Sequence, residues 1–153
     1  DIGAQEAGQQ ISKLAQNIRN RYQTRTDFWG LSTAEVIRQK MYPLSMTAEG
    51  GKLIGYFGNE VQVGADASGA AVMPTVRRFV IAYNNLNRKQ CLALGTYKFT
   101  PDFWLGVSGM TIETEGAQRL FDWSSKELAL PATEDIVGKI CRSKKNNIIF
   151  HFE

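Results

Sequence analysis

Apolar residues near the start of the chain recur at three- and four-residue spacing: Ile11, Leu14, Ala15, Ile18 and Tyr22. That spacing gathers them on one stripe and predicts an amphipathic helix over residues 5–26. Gln9, Lys13, Gln16, Asn17, Asn20 and Gln23 fill the remaining surface, while Gly3 and Gly8 weaken the first turn and residues 27–30 end the element. Such a stripe needs a surface to lie on, and Ile11, Leu14, Ile18 and Tyr22 are expected to pack on the sheet of their own domain. A second, short helix should follow Ser32, because Ser32 and Glu35 have the spacing of a reciprocal capping box. Val36, Ile37 and Met41 make its apolar face, and Pro43 stops it.

The period then changes from helical to alternating. Residues 53–57 and 61–63 read as a hairpin turning at Gly58-Asn59, and residues 65–74, rich in Gly, Ala and Ser, read as a loop. Residues 76–83 are apolar on both faces, which predicts a central strand covered on both sides. Asn87 is placed to cap a helical turn or two carrying Cys91, Leu92 and Leu94. Residues 103–107 and 110–112 suggest a strand pair turning at Ser108-Gly109, and residues 115–130 read as polar and irregular. Thr133 is the N-cap candidate of a further helix, with Glu134 and Asp135 suited to its positive end. Ile136, Val137 and Ile140 supply that helix's apolar face, and Cys141 falls near its end. A last strand over 147–153 puts Ile148, Phe150 and Phe152 on one side.

This order predicts an α+β domain, with an antiparallel sheet packed on the first helix. No repeat or linker divides it, so one domain is expected over residues 1–153. Its parts would be a helix over 1–26, a connection with a mini-helix over 27–50, and the sheet with its later helices over 51–153.

Composition changes this picture little. An apolar share of 43% and a charged share of 22% belong to an ordinary globular chain, not a disordered or coiled-coil one. The formal net charge of +3 is spread from Lys13 to Lys145 rather than gathered on one face. Its densest run, Arg142, Lys144 and Lys145, lies between a predicted helix and a predicted strand and reads as a solvated loop, so nucleic acid is not an expected partner. No stretch approaches the roughly 18 apolar residues that suggest a membrane span. The chain begins at Asp1 rather than Met and shows no leader, which reads as processing or trimming.

Catalytic motifs are missing. Residues 106–110 end in Met110 where a nucleophile elbow needs glycine, and neither a P-loop nor a dinucleotide fingerprint is present. The only histidine, His151, alternates with Phe150 and Phe152 and reads as structural or superficial. Two carboxylate pairs occur, Glu113 with Glu115 and Glu134 with Asp135. The first would share one strand face, but its Thr-rich surroundings suggest solvation rather than the raised pKa of a catalytic acid. No catalytic, cofactor or metal residue is therefore expected. The two cysteines, Cys91 and Cys141, lie 50 positions apart with no CxxC and too few histidines for zinc. They are either two buried free thiols or one long-range disulfide. The second would stabilise by about 4 kcal/mol in the chain-entropy model and would place the protein in the periplasm or outside the cell.

Four stretches resemble the type IVb pilins. They are the mini-helix over 32–43, the hairpin over 53–63 (LIGYFGNEVQV), the segment 79–91 (FVIAYNNLNRKQC) and the ending over 136–152, where a cysteine precedes a polar loop and an Asn-Asn-Ile-Ile-Phe strand. The resemblance implies an αβ-roll, in which the second half of a long helix packs on an antiparallel sheet. It implies that Cys91 and Cys141 bound a surface region holding subunit and receptor contacts. It also implies a leader cleaved by a prepilin peptidase and an apolar helix half upstream, with the present chain a truncated head. The function that follows is a subunit polymerising into an extracellular fibre for attachment, aggregation or conjugation, reached through the inner membrane and periplasm of a Gram-negative bacterium. Its partners would be other pilin subunits, the pilus assembly machinery and a host-cell receptor. A minor pilin or pseudopilin, or a tip adhesin or DNA-binding pilin, is the alternative. Within this reading Glu113, Glu115, Glu134, Asp135, Arg142, Lys144 and Lys145 are the candidate contact residues, pairing opposite charges between neighbouring heads.

Overall fold

In the computed structural model, which describes residues 3–66 and 76–153, the first apolar stripe folds as helix α1 (Ala4–Tyr22). It stops short of the expected residue 26, where the Arg25 N–H turns back to the Tyr22 carbonyl at 3.0 Å. Helix α2 (Thr33–Arg38) starts at Ser32, whose hydroxyl accepts from the Glu35 N–H at 3.1 Å. The reciprocal half of the expected capping box is not made. The Glu35 carboxylate is drawn instead to Arg38 and Gln39, a guanidinium outcompeting a backbone N–H for a carboxylate.

Strands β1 (Thr47–Glu49) and β2 (Lys52–Ile54) form a hairpin that the alternation did not reveal. Gly50 and Gly51 turn it with φ of 58° and 78°, a left-handed pair that glycine reaches without strain. Strand β3 (Glu60–Asp66) pairs with β2 as the expected hairpin does, although the connection spans residues 55–59, with the Gly55 N–H on the Asn59 carbonyl at 2.7 Å. Most of the predicted loop over 65–74 lies outside the described residues, and its first two positions extend β3. Strand β4 (Arg78–Leu86) is central, as its composition predicts, yet only its inner face is fully covered. Phe79, Ile81 and Tyr83 are buried while Val80 on the opposite face is half-buried.

Helix α3 (Arg88–Gly95) is capped by Asn87 with a complete capping box through Gln90. The expected strand pair over 103–112 is replaced by a helix and one long strand. Thr100 caps, and Pro101 opens, the short helix α4 (Pro101–Leu105), because a fixed proline φ suits a first helical turn. Strand β5 (Val107–Thr114) then runs through Ser108-Gly109 without turning. The turn comes at Glu115-Gly116, with φ of 49° and 81°. It leads into β6 (Ala117–Asp122), which occupies part of the segment read as irregular. Helix α5 (Glu134–Ile140) follows Thr133, whose side chain makes no capping bond, and β7 (Asn146–Phe152) closes the fold.

Every strand pairing is antiparallel, in the order β1-β2-β3-β4-β7-β5-β6. The last strand in sequence lies between β4 and β5 because Phe150 matches Ile81 on one side and Met110 on the other. Ile11, Leu14, Ile18 and Tyr22 of α1 are buried against this inner face with Phe79, Ile81, Met110, Ile112, Ile148, Phe150 and Phe152. Each such side chain removes apolar surface from water, a stabilisation of about 1.5–3 kcal/mol.

Candidate interaction surface

The two cysteines form one disulfide, with a Cα–Cα separation of 5.8 Å. Cys91 lies in α3 and Cys141 at the C-cap of α5, so the bond ties α5 to a helix that itself packs on β4 and β7. The packing beneath it is close. A Cβ on Gly95 would come within 3.0 Å of Val137 Cγ1, so glycine at this position is what lets α5 approach α3.

The residues between the cysteines hold most of the charged positions singled out above. Glu113 lies on β5, where its carboxylate accepts from Gln118 at 2.7 Å and from Asn147 at 3.0 Å. Glu115 does not share that strand face as expected, since it sits in the β5–β6 turn with positive φ. A shallow depression nevertheless brings Glu113 and Glu115 together with Lys145. Glu134 and Asp135 occupy the first exposed turn of α5, and Asp135 pairs with Lys139 at 3.6 Å. Arg142 and Lys144 are exposed beyond the disulfide, in the loop leading to β7. That loop is held by Asn146, which is fully buried and donates to the carbonyls of Leu86 at 3.1 Å and Ser143 at 2.8 Å.

His151 faces the outer side of the sheet, opposite Phe150 and Phe152, and its Nε2 lies 2.8 Å from the Thr111 hydroxyl. Burial pushes its pKa down from the ordinary imidazole value; the Asp66 charge acts against this and the Arg78 charge with it.

Three features of α1 went unread in the sequence. Gln10 is almost completely buried: its amide N–H donates to the Ser45 carbonyl at 3.0 Å, and its amide oxygen accepts from the Tyr56 N–H at 2.8 Å. The same oxygen accepts from the Tyr83 hydroxyl at 2.8 Å, which in turn accepts from the Tyr56 N–H. Gly8 leaves room for the Tyr97 ring, since a Cβ there would lie 2.4 Å from Tyr97 Cε2. Arg19 lies over Phe79 and Phe152, at 5.5 and 5.9 Å from the ring centroids, and donates to the Gly106 carbonyl at 3.1 Å. Burial pushes its guanidinium pKa down. The signal for Gln10 was its place on the flank of the apolar stripe, three and four positions from Ala7 and Leu14.

The PilS N-terminal family profile matches residues 3–151. Among solved structures, the chain is similar to the type IVb pilin from Salmonella typhi, with a TM-score of 0.63 and 16% identity over 95% of this chain and 96% of that one. It is also similar to TcpA, a type IV pilin from the Vibrio cholerae El Tor biotype, with a TM-score of 0.65 and 12% identity over the whole of both chains. No curated protein sequence matches it. At these identities the structural likeness speaks for the fold.

Proposed function

The chain belongs to the PilS N-terminal family, and from that premise we propose that it is a structural subunit of a type IVb pilus, polymerising with copies of itself into an extracellular fibre. The observation that carries this reading is the family match over residues 3–151, on a helix-backed antiparallel sheet closed by the Cys91–Cys141 bond. Its similarity to two pilins over nearly their whole length supports the same assignment. We assign it no catalytic step, and attachment, aggregation or conjugation as the purpose of the fibre.

The physical chemistry suits such a role. A subunit outside the cell meets an oxidising environment and shear, and a disulfide holding α5 and the last loop on α3 keeps the exposed region folded there. Its surface charges are of both signs on the Cys91–Cys141 side, with Glu134 and Asp135 at one end of α5 and Arg142 and Lys144 beyond the other. We assign Glu113, Glu115, Glu134, Asp135, Arg142, Lys144 and Lys145 to contacts with neighbouring heads or a receptor.

Deleting the gene and labelling surface filaments with antibody against this chain tests the assignment. Regularly decorated filaments that vanish on deletion and return on complementation are the expected result. Filaments that persist undecorated after deletion would overturn it.

A further inference from the structure

The sheet has two edges, and they are not alike. At one end β1 is three residues long, a short edge that offers little to a further strand. At the other end β6 is six residues long, and Ala117, Gln118, Arg119 and Leu120 are all exposed. The two-residue turn at Glu115-Gly116 makes Thr114 and Ala117 a hydrogen-bonded pair, and such pairs alternate along an antiparallel ladder. Ala117, Arg119 and Phe121 therefore direct their backbone groups to β5, whereas Gln118, Leu120 and Asp122 point theirs away from it. Asp122 shows this directly: its N–H donates to the Leu128 carbonyl at 3.0 Å, and its carbonyl accepts from the Leu130 N–H at 3.2 Å. The backbone groups of Gln118 and Leu120 have no such partner among the described residues.

Two residues of unpaired edge are a template for an added strand. The side chain between them selects what can add. Arg119 is exposed and forms no ion pair among the described residues. On its own face of the sheet it has Ala117 and Phe121 along the strand and Ile112 across the ladder. The acids close in sequence are held elsewhere. Glu113 lies on the opposite face with its carboxylate on Gln118 and Asn147, and Glu115 sits in the turn beside Lys145. Asp122 accepts from the N–H groups of Ser124 and Ser125.

A second copy of β6 fits this edge poorly. The two-fold register that uses both free residues pairs Gln118 with Leu120 of the second copy. It sets Arg119 against the same arginine in a non-hydrogen-bonded pair, about 4.5 Å apart at Cα, and like charges directly opposite are destabilising. A strand with a carboxylate at that position reverses the sign of the interaction. Leu120, half-exposed on the outer face beside Thr111, adds an apolar contact for the residue paired with it.

We propose that the free edge of β6 is a strand-addition site for an extended acidic peptide of a partner protein, with backbone bonds at Gln118 and Leu120 and a carboxylate opposite Arg119. This goes beyond the pilus-subunit assignment and does not depend on it.

The probe is acetyl-Thr-Val-Glu-Val-Thr-amide, titrated into this chain and followed by NMR. A Kd of about 1 mM is expected, since only about four backbone bonds form. At saturation the Gln118 and Leu120 amides should exchange with solvent about tenfold more slowly. Methylating both valine nitrogens removes the peptide's donors and should weaken binding about tenfold or more. Lysine in place of the peptide's glutamate should weaken it about threefold or more, and Arg119→Glu should reverse that preference. Leu120→Pro should abolish binding yet fold, because the Leu120 N–H points away from β5 and proline is tolerated at such an edge. If melts show that Leu120→Pro does not fold, the methylated peptide decides alone. No binding up to about 10 mM, undiminished binding of the methylated peptide, protection confined to other amides, or equal affinity for both charges would each overturn the site. Self-association of the chain that Leu120→Pro removes would overturn it in favour of a second copy. None of these outcomes touches the filament assignment, which the deletion and labelling experiment decides separately.

Discussion

The Tyr83 hydroxyl on β4 donates to the Gln10 amide oxygen on α1 at 2.8 Å, joining residues 73 positions apart in the centre of the core. Tyr83 has no exposed surface and Gln10 nearly none, so neither can exchange its partner for water. Because a buried polar group left unpaired costs more than a typical hydrogen bond contributes, these two residues fix where the helix sits on the sheet.

Tyr83→Phe should lower stability by about 1–2 kcal/mol, because two bonds go but Gln10 keeps Ser45 and Tyr56. Gln10→Leu should cost more, about 2–4 kcal/mol, since it strands the Tyr83 hydroxyl and the Ser45 carbonyl together. Urea unfolding of both single variants and the double variant measures this. Strictly additive losses would show that the two side chains do not act as a pair.

Tyr83 also sets an alkaline limit. Burial raises its pKa above the ordinary phenol value. The unfolded chain releases this proton near pH 10 while the folded chain retains it, so stability is full below that pH and falls as pH rises toward the raised folded pKa. The Tyr83→Phe variant should lose this component of the alkaline decline, as read from urea midpoints across that range.

At the acid end His151 acts in the opposite direction. Its folded pKa is depressed by burial, so the unfolded chain binds the proton first as pH falls. Its contribution is present above about pH 6.5 and is lost as pH drops through the folded pKa. As the single histidine in the chain, it gives an unambiguous NMR titration, expected to have its midpoint below the free-imidazole value. A midpoint at or above that value would contradict the burial argument.

Gly8→Ala should destabilise the protein by about 1–3 kcal/mol through overpacking against Tyr97, although alanine is the better helix former by about 1 kcal/mol. In a Tyr97→Ala background the same substitution should reverse sign and become stabilising. Thermal melts of the four variants in this cycle decide between close packing and a merely weak first turn.

Removing the disulfide by the paired change Cys91→Ser with Cys141→Ser should cost about 4 kcal/mol, the loop-closure value for a separation of 50 residues. Denaturant unfolding measures the loss. Thiol titration of the unreduced native protein should find neither cysteine reactive.

The amphipathic stripe of α1, the Asn87 cap, the last strand and the α+β class were legible because each follows from local periodicity or local cap chemistry. The stretch around 101–116 was not. Phe103 and Trp104 favour strands by residue type, yet they lie in α4 because Thr100 and Pro101 start a helix. Ser108-Gly109 has the composition of a turn, but it forms a bulge within β5, where Val107 and Gly109 pair with the adjacent residues Phe152 and His151 of β7 and the strand runs on. Gly50-Gly51 and Glu115-Gly116 were turn signals in plain sight, hidden by flanking strands too short or too polar to show alternation.

The sequence by itself determined where helices start and which face of each element is apolar, since those properties depend on neighbours within a few residues. It also presented two cysteines that could be free or joined. Tertiary structure decided the rest. It joined Cys91 to Cys141 and placed the last strand between β4 and β5. It turned Gly8 from a flaw in a helix into the space for Tyr97. It also set Gln10 against Tyr83, and left Arg19 half-buried over Phe79 and Phe152, without an ion pair among the described residues. These outcomes depend on contacts between residues distant in the chain, whose energies exist only once the helix and sheet have met.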